Sequence, residues 1–161
     1  LESNYSVVAV EIDKNDFIYF NDKNMVSLSG NDLATELMKF KNVNIILIDL
    51  NDYEHEEVCH DVLYLIEPSS IRLNRLMKRD KKIFDKLKGK KIILNKSLLT
   101  SKDVLDFEYE AKAKIFFNVP PLDERKKSNS ILDVLLTRLG FIRQKIEEKE
   151  EKSKIFGLFK F

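Results

Sequence analysis

Apolar residues gather along this chain in short unbroken runs, separated by polar turns and by stretches with helical spacing. The central run is Asn44 to Asn51, N-I-I-L-I-D-L-N, where Ile45 to Ile48 lead straight into Asp49. A short continuous apolar run fits a strand buried on both faces of a parallel sheet. Similar runs occur at Val7 to Ile12, Val62 to Glu67, Lys91 to Leu94 and Lys114 to Val119. Phe17 to Phe20 (F-I-Y-F) reads as a further short strand, and Asn21 to Asn24 as a turn.

Helical spacing fills the intervals. Ser29 to Asp32 supplies capping residues for a short helix over about Asp32 to Phe40. Ser69 or Ser70 caps a long helix through Leu73, Leu76, Met77, Ile83, Phe84 and Leu87, ended by Gly89. Ser101 caps a helix through Val104 and Leu105. Asn129 or Ser130 caps a last one, through Ile131 to Leu139, closed by Gly140. Strands alternating with helices predict an α/β fold. The expected form is a mostly parallel sheet of about five strands with helices on both faces, a three-layer Rossmann-like arrangement over residues 5–140. Residues 141–161 form a charged linker and an amphipathic tail.

Composition narrows the class. Of 161 residues, 43% are hydrophobic and 34% charged, which is globular rather than disordered. The net charge of +1 argues against a nucleic-acid partner, since phosphate binding needs a basic excess. Cys59 is the single cysteine, so no disulfide framework exists within one chain and a reducing cytoplasm is the expected compartment. The four glycines, Gly30, Gly89, Gly140 and Gly157, are far apart. A phosphate cradle needs clustered glycines whose N–H groups converge on the anion, and no such motif occurs.

Candidate chemistry starts with Asp49. An acid at the end of a parallel strand sits at the carboxyl edge of the sheet, where open α/β folds bind ligands. The stretch His55, Glu56, Glu57, Cys59 and His60 has permissive but unspecific metal-ligand spacing, and reads as a solvated loop. The basic face of the long helix, from Arg72 to Lys88, reads as a solvated surface.

Four stretches resemble the ParA/MinD-type ATPases, a branch of the P-loop nucleotidases that positions septa, plasmids, flagella and pili. Val10-Glu11-Ile12-Asp13 is similar to the family's D-x-D strand end, with Glu in place of the first Asp. Ile45 to Asp49 resembles the strand whose terminal Asp works near magnesium. Ile92 to Lys96 resembles the strand whose Asn reads the adenine edge. Phe117 to Glu124 (F-N-V-P-P-L-D-E) is similar to the segment beside the base. The resemblance implies nucleotide-binding roles for Asp13, Asp49, Asn95, Pro120 and Asp123, if a nucleotide site is retained. The family's first strand and Walker A loop are absent from the sequence, and the stretch between Asp13 and Ile45 is much reduced. Loss of the lysines and the amide cradle removes what phosphoryl transfer depends on.

The family supplies a comparison for the tail as well, because MinD ends in a short amphipathic helix that binds membrane reversibly. Here Lys154, Ile155, Phe156, Leu158, Phe159, Lys160 and Phe161 mix bulky apolar and basic residues in the same manner. The expectation is a non-hydrolysing ParA/MinD-like scaffold or spatial regulator with no cofactor. It attaches through the tail to a membrane or a partner protein, with a homodimer strengthening the attachment, and is cytoplasmic, on the inner face of the cell membrane when attached. The alternative is the C-terminal portion of an active ATPase truncated after its P-loop, with ATP and magnesium as cofactors. A second alternative is a receiver-like signalling domain, with Asp49 as phospho-acceptor and Lys96 as the companion lysine.

Overall fold

A computed structural model describes residues 5–51, 56–123, 125–126 and 128–141, and its strands form two parallel sheets instead of one. His55 and the tail residues Lys154, Ile155, Phe156, Leu158, Phe159, Lys160 and Phe161 lie outside the described residues. The first sheet has the order β2-β1-β3, from β1 (Val7–Ile12), β2 (Met25–Leu28) and β3 (Ile45–Asp49). The second has the order β4-β5-β6, from β4 (Leu63–Ile66), β5 (Lys91–Leu94) and β6 (Ile115–Asn118). All four strand pairings are parallel. The α/β class and the parallel strands thus agree with the sequence pattern, while the single sheet of about five strands does not.

The first sheet packs one face on α1 (Leu33–Leu37), which is flanked by 3-10 turns at Gly30–Asp32 and Met38–Phe40. Val8, Val10, Ile12 and Leu33 are the buried centre of that layer, with Ile46 and Ile48 of β3 against it. In the second sheet Ile66, Ile92 and Leu94 face α2 (Ser70–Arg79), α3 (Ile83–Lys86) and α4 (Ser101–Ala111). Ile93 and Phe117 face α5 (Ser130–Arg138) through Ile131 and Leu135. Each fully buried Ile or Leu stabilises the fold by about 1.5–3 kcal/mol relative to exposure.

Several elements differ from the sequence expectation for local reasons. Phe17–Tyr19 is a 3-10 turn and not a strand, because the buried Glu11 carboxylate accepts the Phe17 N–H at 2.9 Å and curls the chain back. The strand falls instead at Met25–Leu28, where pairing with β1 stabilises an extended stretch with weak periodicity. The long helix breaks at Asp80, whose carboxylate accepts the Lys82 N–H at 2.9 Å and draws the backbone out of helical angles. Ser69 is the N-cap of α2, accepting the Arg72 N–H. α4 is capped by Thr100, one residue earlier than Ser101, in a reciprocal box with Asp103. β3 is buried on one face only, since Leu47 remains 47% exposed.

Candidate functional site

The carboxyl ends of the strands carry the candidate residues. β1, β3 and β5 are each followed by a left-handed residue that turns the chain sharply: Asp13, Asn51 and Lys96, with φ of 53°, 53° and 52°. Asp and Asn tolerate this region better than other residues with a Cβ. Asp13 accepts the Gly30 N–H at 3.1 Å, which fixes the entry to α1 beside the end of β1.

Asp49 ends β3 and lies opposite Glu11 in the parallel register. Its partner is Lys14, whose Nζ donates to Oδ2 at 2.9 Å, and Asn51 N–H donates to Oδ1 at 3.0 Å. Burial pushes the Asp49 carboxyl up, but the Lys14 ammonium and the Asn51 amide outweigh it and the net shift is downward. The hydrogen bond to Asp49 holds Lys14 above the usual lysine range. Glu11, 1% exposed, also accepts the Ser27 hydroxyl at 2.5 Å. Its two partners belong to the 3-10 turn and to β2, so it builds the loop next to Asp49 rather than lining an open site.

The other candidates sit on the second sheet. Asn95 follows β5, and its Oδ1 accepts the Lys96 N–H at 3.0 Å. β6 is tied to that loop: Val119 N–H donates to Leu94 at 2.8 Å, Ser97 N–H donates to Val119 at 2.9 Å, and Asn118 Nδ2 donates to Leu99 at 3.3 Å. Pro120 follows and is exposed. Asp123 is engaged by Arg125, with Nε at 2.9 Å and an Nη at 3.2 Å, in a bidentate pair that lowers the Asp123 carboxyl. Thus Asn95 and Pro120 share one loop cluster at the end of the second sheet. Asp13 and Asp49 share another at the end of the first.

These residues do not fit a nucleoside triphosphate on their own. A phosphate chain is gripped by converging N–H groups and a lysine, whereas the first sheet offers carboxylates, and Lys14 is spent on Asp49. Among the described residues no group of three or more His, Cys, Asp and Glu side chains is placed to hold a metal ion. Cys59 is half-buried, and that burial, with Glu56 nearby, pushes its thiol up, away from the thiolate a nucleophile requires. An open crevice lined by Glu108, Tyr109, Ala113 and Lys114 lies at the far end of α4, away from all of these strand ends. No described helix is long and apolar enough to cross a membrane.

Lys14 and Glu11 are the site residues that sequence reasoning missed or misassigned. Lys14 is 35 positions from Asp49, and nothing in local spacing links them. The only available signal was a cation next to the strand-end acid Asp13. Comparison of the sequence with protein-family models finds no matching family, and comparison with curated proteins finds no match.

Proposed function

We propose that this chain is a ParA/MinD-like α/β domain that does not hydrolyse nucleotide by itself and acts as a scaffold or spatial regulator. The observation that carries this reading is the state of the strand-end acids. Asp49 is neutralised by Lys14, Asp13 is bonded to the Gly30 amide, and Asp123 is paired with Arg125. Each acid that the resemblance assigns to a nucleotide site is engaged within its own chain. Attachment to a membrane surface or a partner protein runs through residues 154–161, where Ile155, Phe156, Leu158 and Phe159 lie between Lys154 and Lys160.

A second reading has its own support: the chain is the C-terminal portion of an active ATPase, completed by a phosphate-binding strand outside residues 5–141. Among the described residues β3 pairs only with β1 and β4 only with β5, and these unpaired edges favour it. They count against a receiver-like domain, whose order 2-1-3-4-5 pairs β3 directly with β4.

Thermal unfolding with and without ATP and magnesium tests the first reading. No shift is expected, whereas a rise of several degrees at millimolar ATP would overturn it, because only native-state binding stabilises. Flotation with anionic vesicles tests the tail. Binding that is lost when residues 154–161 are removed supports attachment there, and equal flotation of both forms, or none, rejects it.

A further inference from the structure

The second sheet meets helices on both faces, and the first sheet meets one on a single face. Side chains alternate along a strand. Val8, Val10, Val26, Ile46 and Ile48 therefore share the face that packs on α1, and Val7, Ala9, Met25, Ile45 and Leu47 share the other. The parallel register joins these last five into one strip: Ala9 lies between Met25 and Leu47, and Val7 lies beside Ile45. Among the described residues, none of the five belongs to an apolar core. Leu47 is 47% exposed and the other four are half-buried. Parallel sheets occur almost only with both faces covered.

The chain that follows α5 arrives at one end of this strip. Gly140, with φ of 92°, ends the helix. Its N–H donates to Thr137 at 3.0 Å and the Phe141 N–H donates to Leu136 at 2.9 Å, the paired bonds that turn a chain off the helix axis. Phe141 then packs edge-on against Tyr5, with ring centroids 5.9 Å apart. Tyr5 precedes Ser6, whose carbonyl accepts the Ile45 N–H at 3.1 Å. Phe141 is thus held at the amino-terminal ends of β1 and β3, where Val7 and Ile45 begin the strip. The sequence continues with residues 142–161 and carries Ile155, Phe156, Leu158, Phe159 and Phe161 near its end. The stretch from Phe141 to Ile155 spans about 21 Å even as a helix, and β1 is about 20 Å long. Every part of the strip is therefore within reach of the apolar segment.

We propose that Ile155 to Phe161 seat on the strip formed by Val7, Ala9, Met25, Ile45 and Leu47 of their own chain. In a helical turn Ile155, Leu158 and Phe159 share one face, and Lys154 and Lys160 fall outside it, where their ammonium groups stay in water. The outer strands of the strip lie about 10 Å apart, close to the about 10–12 Å diameter of a helix. Tethering at Phe141 gives the segment a local concentration on the order of millimolar, which favours it over any free occupant. The seat itself needs neither membrane nor partner. Its consequence rests on the attachment reading above: a seated tail is withheld from a membrane or partner, and attachment requires its release.

Removing the tail distinguishes a seated segment from a free one by the sign of the effect. Binding of an apolar dye is compared between the full chain and a chain ending at Ser153. More dye is expected to bind after removal, because the strip is uncovered, and a fall or no change overturns the seat. A site-specific measurement uses Leu47→Cys in a Cys59→Ser background, with Leu105→Cys on α4, a position 61% exposed, as the control. Reaction of the Leu47→Cys thiol with a soluble maleimide is expected to be at least about tenfold slower in the full chain than in the shortened one. Leu105→Cys is expected to react equally in both. A full-length chain carrying Ile155→Asp and Phe159→Asp is expected to react like the shortened one. Equal rates at Leu47→Cys, or equal slowing at both positions, overturn the seat. So does slowing that disappears on dilution, which assigns the cover to a second copy. Neither measurement contains a membrane, so a failure here is distinct from a failure of the attachment reading, which flotation decides.

Discussion

Lys14 Nζ lies 2.9 Å from Asp49 Oδ2, and this contact joins the loop after β1 to the end of β3. Both side chains keep access to water, at 32% and 53% exposure, so the pair is screened and contributes modestly. Its chemical effect is larger than its energetic one. It places a cation of the chain on the acid that the family resemblance assigns to magnesium.

The pair has a defined pH dependence. The folded Asp49 carboxyl is lowered below its ordinary 3.8, so its contribution is present above that value and lost as pH falls through the folded value. Lys14 is raised above 10.5, so its contribution is complete below that value and lost as pH rises through the folded one. A double-mutant cycle with Lys14→Met and Asp49→Asn, read by urea unfolding at pH 7, is expected to give a coupling of about 0.2–1 kcal/mol. The coupling should fall as pH drops through the folded Asp49 value and shrink in 1 M salt. A coupling that responds to neither acid nor salt would contradict an ionic contact.

Glu11 is expected to matter more for stability. Its buried carboxylate accepts the Phe17 amide and the Ser27 hydroxyl. Glu11→Ala removes the acceptor from both and should cost about 1–3 kcal/mol in chemical denaturation, since a typical intramolecular hydrogen bond contributes about 0.5–1.5 kcal/mol and two are lost. Ser27→Ala, which deletes one partner, should cost less than Glu11→Ala. Equal costs would mean that the Phe17 bond contributes nothing.

The start of α4 offers a local test. Thr100 and Asp103 bond reciprocally across the first turn. Thr100→Ala is expected to destabilise by about 1 kcal/mol, while Ser101→Ala, which sits inside the helix, should be close to neutral. Thermal or urea unfolding of the two variants decides which residue is the cap, and the reverse order would reassign it.

Two apolar positions on adjacent strands should respond oppositely. Ile92 is fully buried between the helices and the sheet, and Leu65 is open to solvent. Ile92→Ala should cost about 2–5 kcal/mol, whereas Leu65→Thr should be near neutral. A large loss from Leu65→Thr, measured by urea unfolding, would show that something covers that face in the chain as it stands.

The alternation of strands and helices was legible in the sequence, because side-chain period and turn residues act over a few positions. Apolar runs at Val7–Ile12, Ile45–Asp49 and Lys91–Leu94 became strands, and Gly89 and Gly140 took positive φ after their helices. The resemblance rested on the same local strings, and it located strand ends. What happens at those ends was decided by contacts between distant parts of the chain. Glu11 turned inward to hold Phe17 and Ser27, and Lys14 reached Asp49 from 35 positions away. The break at Asp80 and the pairing of Met25–Leu28 depended on side-chain acceptors and on a neighbouring strand. Hydropathy placed β3 and β4 as buried strands, since a run of isoleucine and leucine carries no record of how many neighbours it meets. Only the tertiary structure, by leaving each of them paired on one side, separated a strand that is apolar from a strand that is covered.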